Sequence, residues 1–317
     1  MTSDAGLPGP SPIARPRAPV VYSPDYECDI GPHVFPTRKY RLVLERMIED
    51  GDIAASEVLA PPAPTRGQLE RVHRPEYLRD LAELRDSPGT RMSELPLTRE
   101  IVHAYALACG GTLLAARAAL RVGAAVHLGG GFHHAYADHA EGFCYLNDLA
   151  VAVRVLQGEG AIHRAAVVDL DVHQGNGTAS IFAHDPDVFT LSMHQEQLYP
   201  VPKEHSSLDV GLEVGTGDRE YLAQLDEALP HVWAHAPELV LYQAGADPYV
   251  GDMLGALALT LDGLAARDTR VLEGCVSRGI PVVVTLGGGY AREVADTVRI
   301  HHRTARIAME LATRTRV

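Results

Sequence analysis

Cysteine is sparse in this chain, and the four present, at 28, 109, 144 and 275, form no C-x-x-C pair. That spacing argues against a disulfide framework and for a reducing compartment. No apolar run approaches the ~20 residues that cross a bilayer, and the amino terminus lacks a basic-then-apolar signal pattern. The expectation is a cytoplasmic protein without a membrane partner. Basic residues are also in deficit, with Lys+Arg at 28 against Asp+Glu at 41 and a net charge of −13. Such a chain is a poor non-specific nucleic-acid binder and suits cationic substrates or partners. No internal repeat and no linker divides the sequence. One domain is expected over residues 19–317, preceded by a Pro-, Gly- and Ser-rich leader over 1–18 that reads as disordered. What remains is ample: 46% of the 317 residues are hydrophobic, enough for a large core, and 16 are histidine. Histidine is the commonest metal ligand and the usual general base.

The order of elements predicts the fold class. Val20 to Tyr22 reads as a first strand, and Thr37 can cap a helix reaching about Asp50. Another short helix starts near Val72–Tyr77, and a long helix capped by Thr98 extends to about Arg121. Strands are predicted over 124–128, 165–170, 188–193, 238–243 and 281–286, with helices over 147–156, 218–235 and 260–277. Strands alternating with helices imply an α/β domain of three layers, with a mainly parallel central sheet flanked by helices. In such sheets ligands sit beyond the carboxyl ends of the strands. Residues 82–98 and 195–210 are expected as rim loops, and the basic residues from Arg292 onward as a solvated helix face.

Four of the predicted strands end in reactive or glycine-bearing sequence: Gly129-Gly130-Gly131-Phe132-His133-His134, Asp171-Val172-His173, Ala244-Gly245-Ala246-Asp247 and Gly287-Gly288-Gly289-Tyr290. Where the strand over 165–170 runs out, Asp169, Asp171 and His173 alternate with Leu170 and Val172. In extended backbone residues two apart share a side, so three proton- or metal-binding groups face one way. Two carboxylates and an imidazole together are costly without a compensating charge, and a divalent cation would compensate. Taken singly, each motif also has a bland reading. A strand-end aspartate caps turns, paired histidines are commonly structural, and GGGY can be only a tight turn. Glycine also lets backbone approach a ligand closely, and the joint placement at one sheet edge favours a site.

The blocks HLGGGFHHAYADHAEGFCYLNDLAVAV, VVDLDVHQGNGT, LSMH, YQAGADPYVGDMLGALALTLDGLAARD and TLGGGY resemble the zinc-dependent histone deacetylase superfamily, with its arginase-like α/β fold. They span about residues 127–292, and weaker likenesses (VYSPDY, HVFPTRKY, VHRPEY) extend the resemblance towards the amino terminus. DLDVHQGNG and GDMLGALALT look most similar to the class IV branch and its bacterial relatives.

The resemblance implies metal ligation by Asp171, His173 and Asp247, three ligands that leave a position open. Zinc is implied by the family; a carboxylate-rich set also accepts Fe(II), Co(II) or Mn(II). It further implies His134 as general base and then acid, and His133 as its electrostatic partner, hydrogen-bonded to Asp169. Asn176 stands where class I relatives have an aspartate beside the second histidine, so His134 is expected to have a lower pKa than an aspartate would give. Tyr290 matches the tyrosine that binds the substrate carbonyl oxygen. Asp169, Asp171, His173, Ser192 and Met193 match a structural potassium site. Gly142, Phe143, Tyr199 and Gly288 resemble substrate-channel positions, while His33, Pro36 and Lys39 approach its inner end without an assigned role. The implied activity is amide hydrolysis on an acyl-lysine or related acylated amine. Acylpolyamines, small-metabolite amides and a non-catalytic acyl-lysine binder are the alternatives; oligomeric state stays open. Ureohydrolysis on a dinuclear centre is disfavoured, because the doubled ligand set is missing.

Overall fold

The computed structural model describes residues 18–314; the expected leader over 1–18 falls outside them except for Ala18. In chain order the elements are β1 Val20–Val21, α1 Lys39–Glu49, α2 Arg66–Leu69, α3 Pro75–Ala82, α4 Pro88–Arg91, α5 Arg99–Val122, β2 Ala124–His127 and α6 Asp148–Gly158. They continue with β3 Ala165–Asp169, α7 Asn176–Phe182, β4 Val188–Gln195, β5 Leu208–Leu212, α8 Asp218–Ala234, β6 Leu239–Gln243, α9 Leu261–Ser277, β7 Val282–Thr285 and α10 Val294–Arg314.

The seven strands make one sheet in the order β1-β2-β7-β6-β3-β4-β5, and every pairing is parallel. The four central strands β2, β7, β6 and β3 are buried at every position. That is why they read as short continuous runs of Val, Leu and Ala rather than as alternating patterns. Helices α5 and α6 pack together on one face, and α1, α10, α9 and α8 pack in succession on the other. Parallel strands all point the same way, so the four central strands deliver their following loops to one edge.

Local sequence explains most element boundaries. Thr98, Asn147 and Thr260 each accept a backbone N–H from the first turn of α5, α6 and α9, satisfying donors that the helix leaves open. Four expectations need correction. Thr37 does not cap α1; its hydroxyl bonds the Cys28 carbonyl, and the helix begins two residues later without a side-chain cap. The predicted rim loop 195–210 is shorter than expected, because β4 runs on to Gln195 and β5 begins at Leu208. Strand β5 lies at the sheet edge and is mostly half-exposed; Leu208, Val210 and Leu212 alternate there, but over five residues only, with Asp209 and Gly211, both poor strand formers, between them.

The third correction concerns α5, which is long and apolar enough by length and composition to cross a bilayer. Its most apolar window is 72% buried inside the fold, as for a core helix under a sheet. The fourth concerns the basic tail. Helix α10 does carry exposed arginines, with Arg303 on Asp262 and Arg306 near Asp52, but it also buries Ile300, His301, Ala305 and Ala308. It is a core layer with one solvated face.

Candidate active site

The loop after β3 turns its carboxylates back on its own backbone. Asp169 Oδ1 accepts the Asp171 N–H at 3.2 Å and Asp171 Oδ1 accepts the His173 N–H at 3.1 Å. Leu170 and Val172 fill the core beneath. The loop after β6 brings Asp247 alongside, where its Oδ1 accepts the Val172 N–H at 2.9 Å. His173 Nδ1 then lies 3.2 Å from Asp171 Oδ1 and 3.3 Å from Asp247 Oδ2. One donor atom from each of these three residues lies within 4.8 Å of the others, and all three residues are buried.

The loop after β7 closes the group from the other side. Gly288 donates its N–H to Asp171 Oδ2 at 2.8 Å, and a Cβ there would sit 2.1 Å from Asp247 Oδ2. Only glycine can approach that closely. Gly288 therefore lies at the inner end beside Asp171 and Asp247, not along the channel's outer length.

These three residues fit a divalent cation. Asp247 Oδ2 is buried and accepts no well-formed hydrogen bond, the His173 ring lying 3.3 Å away; two carboxylates sharing one imidazole leave negative charge that a cation would offset. Without a cation the cluster holds protons instead. Burial, then the Asp171 charge, raises Asp247 to about 7. Burial lowers His173, but Asp171 and Asp247 outweigh it and raise the imidazole to about 10.

The two adjacent histidines from the loop after β2 diverge as expected. His133 Nδ1 is 2.6 Å from Asp169 Oδ2; burial works against its charge, yet Asp169 and Asp171 raise it to about 9. His134 Nδ1 is 2.7 Å from Asn176 Oδ1. Burial first, and then the charges of His133 and His173, hold His134 well below the ordinary imidazole value. The amide of Asn176 opposes that shift, so the lowering comes chiefly from desolvation. Asn176 is the first residue of α7, yet its side chain does not cap that helix; it turns to the imidazole instead.

Tyr290 is buried, its ring 6.5 Å from that of His173, and Asp252 Oδ2 accepts its backbone N–H at 2.7 Å. Burial and the neighbouring Asp247 and Asp171 raise the phenol well above its ordinary value, so it remains a donor. The expected channel walls also assemble. Gly142, Phe143 and Tyr199 line a cavity of about 250 Å³ together with Glu94, Leu198 and Leu254, and His134, His173 and Tyr290 lie at its floor. Both rim segments thus contribute, through Glu94 and through Leu198 and Tyr199. His133, His134, Asp171, His173 and Tyr290 themselves line an inner space of about 20 Å³. Of the matched potassium positions, Asp169 and Ser192 lie opposite each other across β3 and β4, and Met193 is buried in the next position. His33 packs edge-on against Phe143 at 4.6 Å, and the Pro36 carbonyl accepts the Lys39 N–H at 2.9 Å.

Several residues were not anticipated as parts of the site. Glu141 accepts from Asn176 Nδ2 and from the Tyr199 hydroxyl, each at 2.7 Å. Lys39 had no assigned role; its Nζ is fully buried and donates to the Gly287 carbonyl at 2.5 Å. Burial lowers that ammonium to about 8 although Asp247, Asp171 and Asp252 pull it up. Arg267 reaches through the core to donate to the Leu170 and Gly245 carbonyls at 3.1 and 2.7 Å. A signal for Arg267 existed: it shares an apolar helical stripe with Leu264 and Val271. None marked Glu141, whose partners are 35 and 58 residues away.

Residues 33–305 match the family described as Histone deacetylase domain. An uncharacterized protein of Picosynechococcus is 45% identical over 91% of this chain and 98% of its own. Histone deacetylase 2 of Arabidopsis thaliana is 32% identical over 89% of this chain and 78% of its own, and a probable deacetylase of Archaeoglobus fulgidus is 32% identical over 82% and 77%. Among solved structures, a histone deacetylase homologue complexed with SAHA superposes with a TM-score of 0.80 at 25% identity, covering 95% of this chain and 85% of that one.

Proposed function

The chain belongs to the histone deacetylase family, and from that premise we propose that it is a zinc-dependent deacylase removing a short acyl group from acyl-lysine or a related amine. One observation carries the reading. A buried carboxylate–carboxylate–imidazole cluster reaches the channel cavity through His173, beside His134 and Tyr290, and the inner space behind it is lined by both unlike histidines, Asp171 and the same phenol. Asp171, His173 and Asp247 would hold the cation, and Asp169, Asp171, His173, Ser192 and Met193 a potassium ion behind it. When bound, the divalent cation supplies Lewis acidity, polarising the acyl carbonyl and bringing the pKa of a water towards ~7.

The chain's own groups divide the remaining work. His134 is neutral, with its Nδ1 proton on Asn176 and its Nε2 free to take a proton from the attacking water. It then returns that proton to the leaving amine. His133, kept charged by Asp169, offsets negative charge as the acyl carbon becomes tetrahedral. Tyr290 donates its phenol proton to the carbonyl oxygen as that oxygen gains charge. Phe143 and Tyr199 flank the alkyl stem and exclude water from it.

The roughly 20 Å³ among His133, His134, Asp171, His173 and Tyr290 has space for one or two water molecules. That size supports acetyl or a similarly short group. Glu94 at the mouth supports a second reading, in which the acylated amine carries a further positive charge, as in an acetylpolyamine. The test is turnover of acyl-lysines with two to fourteen acyl carbons alongside acetylpolyamines, before and after chelation and zinc repletion. Acetyl turnover that disappears on chelation and returns with zinc is expected. Turnover unaffected by chelation, or confined to long chains, overturns the reading.

A further inference from the structure

Glu141 has no part in the scheme above, yet it is built into the site with unusual definition. It opens a tight turn, Glu141-Gly142-Phe143-Cys144, closed by backbone hydrogen bonds in both directions between Glu141 and Cys144. Both central residues are left-handed, Gly142 at φ +50 and Phe143 at φ +65, which is costly for a phenylalanine. The turn presses against the general base, for a Cβ on Gly142 would lie 2.6 Å from His134 Cδ2. One face of the turn thus offers Phe143 to the channel, and its first residue sends a carboxylate to Asn176. That carboxylate is only 16% exposed. Besides the Asn176 and Tyr199 donors it has His139 Nε2 at 3.5 Å.

We propose that Glu141 is a positioning residue that fixes the amide orientation of Asn176 and, through it, the tautomer of His134. An ionised carboxylate only accepts hydrogen bonds, whereas an amide has one face that donates and one that accepts. With Glu141 on one side, Asn176 must turn its NH2 outward and its oxygen towards His134. That oxygen requires the proton on Nδ1 and leaves Nε2 bare towards the substrate. A flipped amide would present its NH2 to Nδ1, drive the proton to Nε2 and disable the base. The asparagine here therefore needs a third residue to define its direction, which a symmetric carboxylate at the same position does not. This inference rests on the deacylase reading for its kinetic consequence, but not for its structural one.

The experiment pairs a spectroscopic and a kinetic readout on the zinc-loaded full chain. In protein labelled with 15N in its imidazoles, His134 should carry its proton on Nδ1 alone. Glu141→Gln preserves shape but can donate or accept, and Glu141→Ala removes the acceptor; in either, Nε2-protonated His134 should appear. kcat on acetyl-lysine should fall about tenfold or more, the usual scale for losing an outer-sphere orienting partner, with KM little changed. Adding Asn176→Asp to Glu141→Ala should restore the Nδ1 tautomer and most of kcat. Asn176→Asp with Glu141 retained should be slower than that double variant, because two carboxylates then face each other. A single Nδ1 tautomer in both Glu141 variants, or a double variant no better than Glu141→Ala, overturns the proposal. If even the unaltered protein turns over no acyl substrate, the deacylase reading fails while the tautomer measurement still decides the role of Glu141.

Discussion

Two histidines adjacent in sequence take opposite electrical states because of what each ring touches. His133 lies on a carboxylate and is raised to about 9; His134 lies on an amide, between two other imidazoles, and is pushed down. A charged ring and a neutral ring within 4.0 Å centroid to centroid is the separation of duties that acid–base chemistry needs. Tyr290 completes the residue-scale logic, since its hydroxyl stays protonated through the working pH range. Removing only that hydroxyl should leave binding near normal and lower turnover. For Tyr290→Phe the expected loss in kcat is about 10²–10³-fold, the range for one oxyanion donor, measured by steady-state kinetics on acetyl-lysine with KM as the internal control. Much of this was legible beforehand, because each of these side chains follows a strand and sits in a glycine-bearing block. Glu141 and Asp252 were not, because each acts through a tertiary hydrogen bond whose partner lies far along the chain.

The elements matter through their ends. Strands β3 and β6 are neighbours in the sheet, and the proposed ligands Asp171 and Asp247 follow their carboxyl termini. Arg267, from the middle of α9, ties those termini together through the Leu170 and Gly245 carbonyls. Its own charge is met by Asp268, whose Oδ1 accepts from Arg267 Nε at 2.9 Å and from Tyr242 Oη at 2.5 Å. A fully buried pair is strongly asymmetric to mutation, because removing one partner strands the other charge. Arg267→Met should therefore destabilise the fold by about 3–5 kcal/mol, whereas Arg267→Met with Asp268→Leu should recover part of that loss. Chemical denaturation of the metal-free protein reads both. Equal stability of the single and double variants would remove the stranded charge as the cause. The helices and central strands were readable from apolar runs and capping residues such as Thr98 and Thr260. β5 escaped because its alternation of Leu208, Val210 and Leu212 is short and interleaved with Asp209 and Gly211, residues depleted in strands, and the clamp of Arg267 needs the third dimension.

Across the whole molecule, six of the 41 acidic residues stand where burial makes negative charge most costly. Asp148, Asp169, Asp171, Asp247, Asp252 and Asp268 are all buried, most of them near the carboxyl edge of the sheet. The compensating groups supplied by the chain are Arg267, Lys39, His133 and His173. Lys39 and Asp247 show the strain of that balance, the ammonium lowered to about 8 and the carboxyl raised to about 7. A bound divalent cation would replace protons in this arrangement, because ligands coordinate only when deprotonated. The sign follows from the two proposed ligands that hold protons. His173, raised to about 10, is protonated at neutral pH without metal, so uptake should release a proton throughout the range from 7 to 9. As pH falls through about 7, Asp247 also becomes protonated, and a second proton must leave. Zinc affinity should therefore fall with decreasing pH, and more steeply below about 7 than above it. Calorimetric zinc titrations in buffers of different ionisation enthalpy count those protons directly. The stabilisation by zinc, about 2.7 kcal/mol at a hundredfold excess over Kd, should shrink in parallel as the solution is acidified. A zinc affinity independent of pH between 6 and 9 would mean that Asp247 and His173 are not the groups that the cation displaces protons from.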